Sequence, residues 1–228
     1  MTTPFETSAD RVVVDVWSDV MCPFCYLGTT HLSHAAHRTE IPVDVRFHAF
    51  QLMPELPHDA AVNLLDLLQK ERGIPRRQAA AMNASVAAQG AEAGLAFDLD
   101  AARATNTYRA HRLINLAKIE GLQPEMARRL FKAYFLEGAD IGDVDVLADL
   151  AEQVGIDRRT AGEALGDGTH DDDDVEADLE LARRIGIRGV PFFVIDGTTT
   201  VTGAQPVEVF ASALSAAWAA HGHTPHTS

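Results

Sequence analysis

The chain has only two thiols, and both fall in one tetrapeptide, Cys22-Pro23-Phe24-Cys25. A cysteine pair at this spacing can exchange disulfides, form half of a zinc site, or make a structural staple. Context favours the first. The apolar run Val12-Val13-Val14-Asp15-Val16-Trp17 reads as a buried strand, and the residues from Tyr26 to Leu32 can open a helix. Cys22 then stands at the helix start, where free backbone N–H groups and the positive end of the dipole stabilise the thiolate, the reactive form. Cys25 lies one turn inside, placed to resolve a mixed disulfide. Pro23 suits the first helical turn, where its missing N–H does no harm. Pro23 and Phe24, between the two sulfurs, are candidate substrate contacts. A zinc half-site would draw on His31, His34 or His37 of the same helix, but there is no second cysteine pair, and no metal is expected.

A second pair that could serve the same chemistry is Val190-Pro191. Proline can open a strand where its lost N–H is harmless. A cis bond there would kink the chain and leave the backbone of Val190 as an unpaired edge for an extended substrate. A trans proline entering an edge strand fits the residues equally well. His48 and Gln51, at the end of a second strand, stand near where a substrate would lie. Asn106, Tyr108, His111 and Arg112 share one helix, and His111 reads more readily as helix packing than as a site residue.

These residues need elements to hold them. Arg11 to Ser18 reads as a strand, Pro23 to His37 as a helix, and Val43 to Phe50 as a half-buried alternating strand, which together form a βαβ unit. From Pro57 to Gly166 strand patterns give way to good helix formers. Helices are expected over Ala60–Arg72, Pro75–Ala93, Thr105–Glu120, Pro124–Leu136, Val144–Val154 and Arg158–Leu165. Such a block is too long for a loop and implies a helical subdomain. The Asp171-Asp172-Asp173-Asp174 run, as acid at a helix N-terminus, suits the dipole of a helix from Val175 to Ile185. Val190–Ile195 and Thr198–Val201 flank Asp196-Gly197, a hairpin signal, and Pro206–Ala220 closes the chain as a helix. The expected class is α/β, with one discontinuous domain (residues 11–56 and 170–220) and a helical insertion (57–169).

Composition narrows the function. Of 228 residues, 46% are hydrophobic and 33 acidic side chains outweigh 19 basic ones, for a net charge of −14. That balance argues against a nucleic-acid partner, which needs clustered cations. No apolar run approaches the ~20 residues of a membrane span. The first residues show neither the basic segment nor the apolar core of a signal peptide, so a cytoplasmic location is expected. In that compartment a disulfide would be transient and catalytic.

Cys22-Pro23-Phe24-Cys25 after Trp17-Ser18-Asp19, together with Gly189-Val190-Pro191-Phe192-Phe193, resembles the DsbA family of the thioredoxin fold. Phe50-Gln51-Leu52-Met53-Pro54, the segment Asn106 to Leu113, Phe131-Lys132-Ala133-Tyr134-Phe135 and Thr202-Gly203-Ala204-Gln205-Pro206 sharpen the likeness toward its FrnE-like branch. The resemblance spans about Val12 to Trp218. It implies a thioredoxin-like fold with an inserted all-helical subdomain, Cys22 as nucleophile, Cys25 as resolving thiol and a cis Pro191 facing them, with Val190 and Gln51 near the substrate. The implied activity is a thiol–disulfide oxidoreductase or isomerase that needs no bound cofactor. Its partners would be a disulfide- or thiol-bearing protein substrate and an external thiol reductant, with glutathione as electron donor or acceptor. Some FrnE-like proteins carry a further cysteine pair. Here there is none, so the dithiol must exchange directly with another molecule. The alternative is a glutathione-dependent kappa-type transferase or 2-hydroxychromene-2-carboxylate isomerase-like enzyme, a group that generally has serine at the nucleophile position.

Overall fold

The computed structural model describes residues 5, 7–58, 61–166 and 173–223. β1 (Val12–Ser18) is an apolar run buried along its whole length, as a central strand must be. It pairs in parallel with β2 (Val43–Ala49), reached through α1 (Pro23–Thr39). On its other side it pairs antiparallel with β5 (Phe192–Ile195), which turns back into β6 (Thr199–Thr202). The sheet order is β2-β1-β5-β6. Asp196 and Gly197 both adopt positive φ, 52° and 67°, in the tight turn between β5 and β6, which is the conformation this dipeptide favours.

Side chains of β1 alternate between two layers. Val12, Val14 and Val16 face α1 and α9 (Val207–Ala220), sharing a core with Leu32, Phe210 and Leu214. Trp17 faces the opposite layer, with Ala182 of α8 (Asp173–Ile185), Ile187 and Val194. Asp173 and Asp174 occupy the first turn of α8, where negative charge is favoured. Asp171 and Asp172 lie outside the described residues, as does the expected end of the insertion near residue 169.

The insertion carries α2 (Leu64–Arg72), α3 (Arg76–Glu92), α4 (Tyr108–Ile119), α5 (Gln123–Leu136), α6 (Val144–Gln153) and α7 (Arg158–Gly166). Among its described residues the strand content is a two-residue ladder, β3 (Val62–Asn63) against β4 (Arg103–Ala104). That ladder delays the helix expected from Ala60 until Leu64, where the Asn63 side chain accepts the Asp66 N–H. The helix expected from Thr105 begins at Tyr108, because the Asn106 carboxamide accepts the Tyr108 N–H at 2.9 Å and donates to the carbonyls of Pro54 and Leu56. Such local bonds compete with helical ones. Tyr26 of α1 stacks on Phe131 of α5 at 5.1 Å, so the insertion is anchored at the residue that follows Cys25.

Candidate active site

Cys22 immediately precedes α1 in an extended conformation, with Pro23 at the helix start. Its carbonyl accepts the Cys25 N–H at 3.0 Å, and its own N–H donates to Asp19 O at 3.0 Å. Both cysteines are free thiols, Cys22 5% exposed and Cys25 fully buried. The Cys25 S–H donates to the Cys22 sulfur, and this contact does most to hold the Cys22 thiol below its ordinary pKa. Burial and the Asp19 carboxylate push the other way, while the backbone N–H groups of Cys25 and Phe24 reinforce the lowering. Burial pushes the Cys25 thiol well up, and the neighbouring Cys22 adds to it. The two thiols are thus pushed in opposite directions, Cys22 toward easier and Cys25 toward harder ionisation, the asymmetry that a nucleophile and a resolving group require.

The Val190–Pro191 bond is cis. Val190 O stands 3.8 Å from Cys22 Sγ, across 168 residues of sequence. Pro191 O accepts the Gly203 N–H at 2.8 Å, whereas the Val190 N–H has no backbone partner among the described residues. Gly28, which sequence reasoning passed over, permits this approach. A Cβ there would lie 3.0 Å from Pro191 Cγ, 3.2 Å from Phe193 Cζ and 3.4 Å from the backbone of Ala204. A glycine inside a helix is unfavourable by roughly 1 kcal/mol, and that mid-helix position was its available signal.

Two large apolar side chains are exposed on the segments that frame the site: Phe24, 40% exposed, within the cysteine motif, and Leu52, 42% exposed, whose N–H is held by Asp19. Pro23 is half-buried. Gln51 donates its amide to Asn106 Oδ1 at 2.9 Å, which ties the post-β2 loop to the insertion. Asp19, also passed over as a site residue, is fully buried beside the dithiol. Its carboxylate accepts the Leu52 N–H at 2.7 Å and stands 3.6 Å from His111 Nε2, which also contacts Phe50 O at 3.0 Å. His111 therefore packs against the loops framing the site. The Tyr134 phenol is buried, and burial together with Asp19 pushes its pKa up.

His48 is not beside the substrate face. It lies on the α8 layer, stacked on Trp17 at 4.5 Å, with Nδ1 2.6 Å from Asp178 and Nε2 2.8 Å from Asp15. The strand alternation that carries Phe47 inward toward α1 carries His48 to the other side of the sheet. Of the zinc candidates, His31 bonds the Gln205 carbonyl at 2.8 Å, and His34 and His37 are exposed. No cluster of three or more His, Cys, Asp or Glu side chains suited to a metal occurs among the described residues.

Residues 13–215 match the model of the DSBA-like thioredoxin domain. The chain belongs to this DsbA-like family. Within it, a probable DsbA oxidoreductase, SCO1869 of Streptomyces coelicolor, is 33% identical, with a TM-score of 0.85 over 96% of this chain and 94% of that one. The protein YwbO of Bacillus subtilis is 30% identical over 90% of this chain and 96% of its own length. The cytosolic disulfide reductase DsbM of Pseudomonas aeruginosa, at 20% identity and a TM-score of 0.60 over 88% and 95%, shares the fold. No helix among the described residues is long and apolar enough to cross a membrane.

Proposed function

We propose that this DsbA-like chain is a dithiol–disulfide oxidoreductase of the FrnE-like branch, acting in the cytoplasm. The Cys22 thiolate attacks a substrate disulfide, forming a mixed disulfide and releasing one substrate thiolate. Cys25 loses its proton and attacks the Cys22 sulfur, which releases the second substrate thiolate and leaves a Cys22–Cys25 disulfide. An external thiol reductant then returns the pair to the dithiol with two electrons, and glutathione is the natural candidate in a reducing compartment. The backbone of Val190, beside cis Pro191, would align an extended substrate next to the sulfur. Phe24, Pro23 and Leu52 would cover its apolar side chains, and Gln51 would hold the loop that carries Leu52.

One observation carries this proposal: two free thiols, one at a helix start with its pKa lowered and the other buried as its hydrogen-bond donor. The glutathione-dependent isomerase or transferase alternative needs no resolving thiol and gives Cys25 no task. In an insulin-reduction assay Cys22→Ser is expected to lose all turnover. Cys25→Ser should accumulate a mixed disulfide visible by mass spectrometry. Retained turnover in Cys22→Ser would overturn the proposal.

A further inference from the structure

The outer edge of β2 is half sealed and half open. In its parallel pairing with β1, Pro42 O accepts the Val12 N–H at the start and the Phe50 N–H donates to Ser18 O at the end. The alternating groups of Asp44, Arg46 and His48 therefore face β1, and those of Val43, Val45, Phe47 and Ala49 face outward. Two of these four are covered. The Gln123 carboxamide accepts the Phe47 N–H at 3.0 Å and donates to Phe47 O at 3.0 Å, imitating a neighbouring strand. Asp178 accepts the Ala49 N–H at 2.9 Å. For Val43 and Val45 no outward hydrogen bond forms among the described residues.

Beside those two residues opens a cleft of about 500 Å³. Tyr26 and Leu32 of α1, Phe131 and Arg128 of α5, and the side chains of Val43 and Val45 line it. A strand laid on this edge would send alternate side chains into the cleft. Arg128 is exposed on its wall, close enough to Tyr26 to act on its phenol, and forms no salt bridge among the described residues.

We propose that the open half of the β2 edge, at Val43 and Val45, is a docking site for an extended polypeptide segment of a partner protein, apolar on one face and carrying an acidic side chain that meets Arg128. The free N–H and C=O groups call for a peptide backbone, which small solutes cannot supply in register. A second copy of this chain fits poorly. The register that uses both open residues sets Asp44 opposite Asp44, and like charges directly opposed destabilise a strand pair. This site lies on the edge of the sheet and involves neither cysteine, so it stands independently of the redox proposal.

The probe is a cysteine-free, fluorescein-labelled peptide of alternating valine and threonine with one central glutamate. Saturable binding by anisotropy is expected, together with slower amide exchange at Val43 and Val45 by NMR. Val45→Pro removes one outward N–H without touching the β1 ladder and should weaken binding at least tenfold. Arg128→Glu should weaken it severalfold and shift preference to a peptide with lysine in place of glutamate. Insulin reduction should be unchanged in both variants. Unchanged exchange at Val43 and Val45 in the peptide-saturated wild-type protein would overturn the proposal, even if Val45→Pro fails to fold. A concentration-dependent dimer abolished by Arg128→Glu or Val45→Pro would overturn it in favour of self-pairing.

Discussion

Replacing His48 with glutamine tests the buried charge cluster that fastens α8 to the sheet. Burial alone would lower the pKa of this imidazole, but hydrogen bonds and charge from Asp15 and Asp178 reverse that and push it up to about 9. Its side chain is only 16% exposed, so solvent screening is limited. A histidine whose folded pKa lies above its unfolded value of ~6.5 binds its proton more tightly when folded. The stabilisation is complete below pH 6.5 and is lost as pH rises toward 9. A rise from 6.5 to about 9 corresponds to about 3 kcal/mol at 1.36 kcal/mol per pH unit. Urea unfolding at pH 6 and at pH 9.5, on the wild type and His48→Gln, measures it. The gap between the two proteins should be wider at pH 6 by about 3 kcal/mol, and taking the difference removes the shared titration of the cysteines. A gap that stays constant across this range, or widens with pH, would refute the reasoning that His48 is a buried cation.

Three further outcomes follow from the geometry. Thiolate absorbance should show Cys22 titrating below the ~8.5 of a free cysteine, and Cys25→Ala should raise that value by removing the donated S–H bond. Gly28→Ala gains helix propensity but drives a methyl to 3.0 Å from Pro191 Cγ. Urea denaturation should show a net loss of about 1 kcal/mol, and a more stable variant would mean that α1 does not press on Pro191. Gln123→Leu strips both side-chain bonds from the buried Phe47 backbone and should cost about 2 kcal/mol in the same assay, with faster amide exchange at Phe47.

Much of the framework was legible in the sequence because it is local. Val12 to Trp17 must be a strand, and the Ala-, Leu- and Arg-rich stretches must be helices, since periodicity over a few residues dictates each. The limits of α2 and α4 were not legible. Both are set by partners far along the chain, Arg103–Ala104 for the first and the Gln51–Asn106 network for the second. The place of His48 was misjudged because a strand residue's neighbours depend on which face of the sheet it takes. Its partner Asp178 is 130 residues away.

Sequence alone determined the chemistry available. One dithiol at a helix start and no third cysteine favour exchange with another molecule over a zinc site or a staple, because thiol spacing and helix dipole are properties of adjacent residues. Only the tertiary structure decided which groups surround that dithiol. It brought Val190 and cis Pro191 to the sulfur, buried Asp19 beside it, and sealed one half of the β2 edge while leaving the other open. Each of these depends on packing between segments that no short-range pattern links.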